Sequence, residues 1–94
     1  MDFEWDARKA RENVAKHGVS FESAKAVFDD PRVVLAEDSD HSSAGEERYY
    51  AFGRVSGGVL TVRFTIRAGR IRIIGAGYWR KGKVFYDQAN RVRG

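Results

Sequence analysis

Leu60–Lys83, LTVRFTIRAGRIRIIGAGYWRKGK, limits what this chain can fold into more than any other stretch. Leu60, Val62, Phe64 and Ile66 alternate with Thr61, Arg63, Thr65 and Arg67, and beyond Ala68-Gly69 the residues Ile71 and Ile73 alternate with Arg70 and Arg72. Period-two alternation on both sides of a Gly-containing dipeptide predicts a β-hairpin. A two-residue turn sets Arg67 opposite Arg70, Ile66 opposite Ile71, Thr65 opposite Arg72 and Phe64 opposite Ile73. One face is then apolar and the other carries Arg63, Arg67, Arg70 and Arg72. Like charges set opposite one another cost stability. Such a face either finds carboxylates elsewhere in the chain or meets an anion such as phosphate.

The 94 residues fit a single domain, 1–94, with a small core. Cysteine is absent, which excludes disulfides and thiolate metal sites. His17 and His41 lack metal-ligand spacing, so neither a metal nor any other cofactor is expected. No apolar run approaches a membrane span and the N-terminus is acidic rather than signal-like, so a cytoplasmic protein without membrane contact is expected. The net charge of +4 is unevenly spread: residues 1–47 carry 12 acidic and 6 basic side chains, residues 48–94 carry 1 acidic and 11 basic. Nine of those eleven are Arg, whose planar fork suits phosphate. The surplus favours a polyanionic partner.

In chain order, Asp2–Trp5 reads as a short edge strand or a staple. Asp6 caps a helix over Ala7–His17, with Ala7, Ala10, Val14 and His17 as a thin buried stripe and Gly18 at its end. Ser20 caps a second helix with an apolar face of Phe21, Ala24, Val27 and Phe28, stopped by Asp29-Asp30-Pro31. Val33–Ala36 is a strand and Glu37–Glu47 a polar loop. Arg48–Val55 alternates again, and a four-residue connection Ser56–Val59 sets Val55 opposite Leu60. Arg48, Tyr50, Phe52 and Arg54 then share the face of the hairpin arginines. Charge interleaved with aromatic rings suits an unpaired RNA strand. Tyr78–Lys83 is aromatic and basic, and Val84–Arg93 is a terminal helix.

Phe3-Glu4-Trp5-Asp6, Asn13, Lys16–Phe21 and Ala26–Asp30 together resemble the BrnT toxins. Gly45–Arg48, Gly53 and Arg70–Ile74 continue the likeness over nearly the whole chain. The resemblance implies a RelE-like fold and a ribonuclease toxin of a type II toxin–antitoxin pair that arrests translation. It also implies a BrnA-like ribbon-helix-helix antitoxin as partner, through which alone operator DNA is met. Family members commonly read His-Thr-Glu-Arg where this chain has Phe64-Thr65-Ile66-Arg67, and Ile-Ser-Ala-Arg where it has Ile74-Gly75-Ala76-Gly77. Acid–base and phosphate-binding side chains are thus missing at Phe64, Ile66 and Gly77, and Gly77–Lys83 is a variant segment.

Metal-free RNA cleavage needs a base for the 2′-hydroxyl, positive charge at phosphorus and a proton for the 5′-oxygen. Arg67, Arg70, Arg72 and Arg80 are the expected phosphate groups, and His17 or Tyr86 the proton carrier. Arg48, Tyr50, Arg54, Arg63, Tyr78, Trp79, Lys81 and Lys83 are expected to bind RNA. His41, in the acidic loop, reads as a surface residue. Two functions stay open: a metal-independent endoribonuclease, or a non-catalytic module that binds RNA or serves as corepressor with the antitoxin. The expected architecture is α+β. Two N-terminal helices cover one face of a three- to four-stranded, mainly antiparallel sheet, a C-terminal helix follows, and the opposite face takes RNA and antitoxin.

Overall fold

The computed structural model describes residues 1–92. It is an α+β fold built on one five-stranded mixed sheet. In chain order the elements are β1 (Phe3–Trp5), α1 (Ala7–His17), α2 (Phe21–Ala24) running into a 3-10 turn (Lys25–Asp29), β2 (Val34–Glu37), a 3-10 turn (Ser39–His41), β3 (Arg48–Val55), β4 (Gly58–Arg67), β5 (Arg70–Gly77) and α3 (Arg80–Val92). Arg93, at the end of the expected terminal helix, lies outside the described residues. No helix among those residues is long and apolar enough to cross a membrane.

The β4–β5 hairpin has the expected register, Arg67 opposite Arg70 through Phe64 opposite Ile73. Ala68 (φ 52°) and Gly69 (φ 76°) are both left-handed, the type I′ geometry that matches strand twist. Ser56 (φ 51°) and Gly57 (φ 82°) repeat it between β3 and β4. That connection is two residues rather than four, so Val55 faces Gly58 and Gly53 faces Leu60. The offset is even, so every side chain keeps its expected face.

Three features of the architecture differ from the sequence reading. The sheet has five strands in the order β1-β5-β4-β3-β2, because Phe3–Trp5 adds a parallel strand beside β5. The second helix is a single α-turn that tightens to 3-10 geometry. Its backbone there crosses β3 so closely that a Cβ on Gly53 would lie 2.7 Å from the Val27 carbonyl oxygen. Finally, α3 covers β3 and β4 on the face expected to be open, where Tyr86 packs with Phe52 and Val59. Its Gly82 lies against Thr61 and Phe52.

The main core lies under α1 and α2, where Phe21, Val27, Leu60, Val62 and Ile73 are buried. On α1 the expected Ala10 packs on the core, but the fully buried residue is Asn13 rather than Val14, which is 49% exposed. Asn13 donates to the Val19 and Ala76 carbonyl oxygens (2.9 Å each) and accepts from the Ala76 N–H (3.1 Å). These bonds set the helix's rotation on β5.

Candidate active site

A bulge shapes the sheet where the site forms. Arg63 pairs with Gly75 and Phe64 with Ile73, which leaves Ile74 unpaired. Bulges re-aim neighbouring side chains, and Gly75 leaves the Arg63 stem lying 4.0 Å from where a Cβ would stand.

Most of the expected arginines meet carboxylates within the chain, four of them on Glu4 and Glu46. Arg72 Nη1 is 2.9 Å from Glu4 Oε2 and Arg70 Nη1 is 3.7 Å from Glu4 Oε1. Arg67 Nη2 is 3.2 Å from Glu46 Oε2, and Arg48 Nε is 3.6 Å from Glu46 Oε1. Arg63 differs. Its Nε is buried, has no hydrogen-bond partner, and lies 3.9 Å from Asp38 Oδ2.

Asp38 is itself buried, at 4% exposure, just ahead of the Ser39–His41 turn. In 3-10 geometry side chains three apart eclipse, and His41 Nδ1 lies 2.9 Å from both Asp38 oxygens. The loop is held by the Asp38 N–H donating to the Arg48 carbonyl (2.8 Å) and the Ser42 hydroxyl donating to the Asp38 carbonyl (2.8 Å). Burial pushes the Asp38 carboxyl up, but the hydrogen bond and charge of His41, the Arg63 charge and the Tyr50 hydroxyl together hold it below the ordinary value. Burial likewise pushes Tyr50 up, with the Asp38 charge adding to it.

Two grooves meet at this cluster. One, of about 690 Å³, runs between α3 and the outer half of the sheet, with Tyr50, Phe52 and Phe85 as aromatic lining and His41, Arg63 and Lys81 as polar groups. Tyr50 stacks on Phe52 at 5.7 Å, and Phe52 meets Phe85 at 5.0 Å. The other, of about 260 Å³, lies beside α1 and is lined by Lys9, Lys16, His17 and Gly75. Arg63 and Trp79 line both. Trp79 meets the His17 ring edge-on at 5.0 Å and lies over Gly77, where a Cβ would come within 2.7 Å of the indole. Among the described residues no three His, Asp or Glu side chains are arranged to hold a metal ion.

The structure thus brings together His17, Tyr50, Arg63, Trp79 and Lys81 from the expected set. Others lie apart. Tyr86 is buried, and its hydroxyl donates to Asp30 Oδ2 at 2.6 Å. Arg54 sits over the Tyr86 ring, 4.0 Å from Asp87, and Lys83 pairs with Asp87 at 2.7 Å. Tyr78 folds over Gly58 and donates to the Val55 carbonyl at 3.2 Å. Arg80 is exposed at the start of α3. Phe64 is a core residue between Phe28 and Tyr49, and Ile66 is exposed. Sequence reasoning set His41 aside and passed over Asp38. The usable signal was their three-residue spacing in a short link between strands.

Asp30 resembles Asp38. Burial pushes it up, but bonds from the Tyr86 hydroxyl and the Arg54 and Arg32 N–H groups outweigh this and lower it. A carboxyl lowered on folding stabilises the fold above its unfolded value, about 3.9 for Asp, and that contribution is lost as pH falls through the folded value. The melting temperature should therefore hold from pH 7 to about pH 5 and drop below about pH 4. Asp30→Asn should flatten that drop in scanning calorimetry, and an unchanged slope would show that Asp30 plays no part.

None of the curated proteins matches this chain. A family model described as "Ribonuclease toxin, BrnT, of type II toxin-antitoxin system" matches residues 5–82. That span runs from the end of β1 to the Gly82 contact of α3 and takes in Asp38, His41, Arg63 and Trp79. The chain whose two grooves share Arg63 and Trp79 therefore belongs to the BrnT family of ribonuclease toxins of type II toxin–antitoxin systems.

Proposed function

We propose that this toxin cuts unpaired RNA, without a metal, along a path that crosses from the α1 groove to the α3 groove over Arg63 and Trp79. Family membership implies an RNA substrate and an antitoxin partner. The observation that carries the path is the sharing of Arg63 and Trp79 by both grooves. Arg63, Lys81 and Lys16 supply charge for phosphates, and Trp79, Tyr50 and Phe85 supply faces for bases. Arg67, Arg70 and Arg72, already offset by Glu4 and Glu46, flank the path and hold the sheet. Cleavage of cytoplasmic RNA arrests translation, and a BrnA-like ribbon-helix-helix antitoxin covers the grooves and links the toxin to operator DNA.

The test is cleavage and binding of an unpaired RNA by the purified chain in EDTA. Trp79→Ala should weaken binding about tenfold, the worth of one stacked base. Arg63→Ala should weaken it at low salt and flatten its salt dependence. Arg70→Ala should weaken it by no more than about threefold, the worth of an exposed ion pair. Larger losses in Arg70→Ala than in Arg63→Ala would move the path to the hairpin face. RNA bound but never cut would make the chain a binding module, the reading that the absence of polar groups at Phe64, Ile66 and Gly77 favours.

A further inference from the structure

We infer that His41, held by Asp38, is the base that takes the 2′-hydroxyl proton in this toxin's RNA cleavage. The inference rests on the ribonuclease reading above and assigns a residue within it.

An Asp–His pair on a surface is commonplace, and three observations set this one apart. The carboxylate is buried at 4% exposure while the imidazole is half-exposed and lines the larger groove. A buried charge needs partners, and this one has His41 on one side and Arg63 on the other. Arg63 in turn has a buried Nε without a hydrogen-bond partner, beside the same groove. Base, positioning carboxylate and phosphate-binding cation therefore stand in one cluster. Of the two proton carriers expected from the sequence, Tyr86 is buried on Asp30, and His17 lines the smaller groove beside Arg63 but packs on Trp79, with no carboxylate among the described residues bonded to its ring.

With Nδ1–H donating to Asp38, Nε2 is left unprotonated and able to accept. In the reaction the 2′-oxygen forms a bond to phosphorus as its proton passes to Nε2. The phosphorus–O5′ bond breaks, and the departing 5′-oxygen draws a proton from water in the open groove. The imidazolium then returns its proton to the hydroxide so formed. The products are a 2′,3′-cyclic phosphate and a 5′-hydroxyl, with no water consumed. Arg63 offsets the charge that grows on the phosphate. The ionisable groups around His41 are its partner Asp38 and, in the same groove, Glu37 from β2, Tyr50 from β3, Arg63 from β4 and Lys81 from α3.

The experiment follows a short unpaired RNA with the purified chain between pH 5 and 9. His41→Gln should slow cleavage by about 10²–10⁴-fold, with RNA affinity within threefold of the parent. His41→Gly should regain cleavage when imidazole is added, which a merely structural role would not allow. Asp38→Asn should slow cleavage by at least about tenfold with RNA affinity within about threefold of the parent, because the ring loses the carboxylate that holds its Nδ1. Substrate with a 2′-deoxyribose at the cut site should stay intact. Cleavage by His41→Gln within threefold of the parent, or no imidazole rescue in a folded His41→Gly, overturns this assignment and leaves the ribonuclease reading standing. A parent that binds RNA without cutting it overturns both.

Discussion

Gly82→Ala should destabilise the domain by about 3 kcal/mol, the upper range for overpacking, and lower its melting temperature by about 12–24 °C for a chain of this size. The sign is what makes the result informative. On a helix that touches nothing, Gly to Ala stabilises by about 1 kcal/mol, because glycine has the greater backbone freedom to lose. Here a Cβ on Gly82 would collide with the Thr61 hydroxyl oxygen and stand 3.2 Å from the Phe52 ring. Thr61 is buried, so its hydroxyl can turn away only against the side chains packed around it. Where that space is lacking the helix rises, and the Tyr86, Phe52 and Val59 contacts open with it. Because α3 forms one wall of the larger groove, RNA binding should fall in step with stability. A Gly82→Ala chain melting at or above the parent would show that α3 has slack against the sheet.

Asn13→Leu should cost about as much, for the opposite reason. Asn13 is buried and uses both ends of its amide on backbone groups of Val19 and Ala76. Leucine matches its bulk and offers no partner, so two carbonyl oxygens and one N–H lose their bonds. Each buried group left unsatisfied costs about 1–3 kcal/mol, so a loss of about 3–5 kcal/mol is expected. Urea denaturation should show a lower midpoint with an unchanged slope. Asn13→Asp, which keeps only the acceptor end and adds a buried charge, should be no better. A loss under 1 kcal/mol for Asn13→Leu would mean that the surrounding backbone finds other partners.

These two positions mark how much was legible in the sequence. The alternation around Ala68-Gly69 yields the hairpin residue by residue, since the turn permits one register. Gly57-Gly58 permits turns of different lengths, and the four-residue connection missed by an even offset that left every face unchanged. Val84, Phe85 and Tyr86 in the expected helix Val84–Arg93 point to docking but not to a side of the sheet, and of the three it is Tyr86 that is buried, on the face expected to be open. Partners far apart in sequence were invisible for the same reason: nothing near Arg72 announces Glu4, 68 residues away, as its counterion. Asp38 and His41 were close neighbours and still escaped. Their juxtaposition comes from one tight turn inside a loop whose composition reads only as polar. The family resemblance came through because it rests on residues such as Asn13, whose role the fold explains.

The parallel pairing of β1 with β5 ties the first strand to the last, Phe3 to Ile71 and Trp5 to Ile73. Asn13 adds a second tie, to Ala76. During synthesis the N-terminal segment therefore has no strand to pair with until residue 77 has left the ribosome, and α1 has no seat. Contacts of such long sequence separation also slow folding once the chain is free. The smaller groove needs α1 seated against β5, and the larger one needs α3, which follows β5 in the chain. A chain that stops short of β5 thus has neither groove.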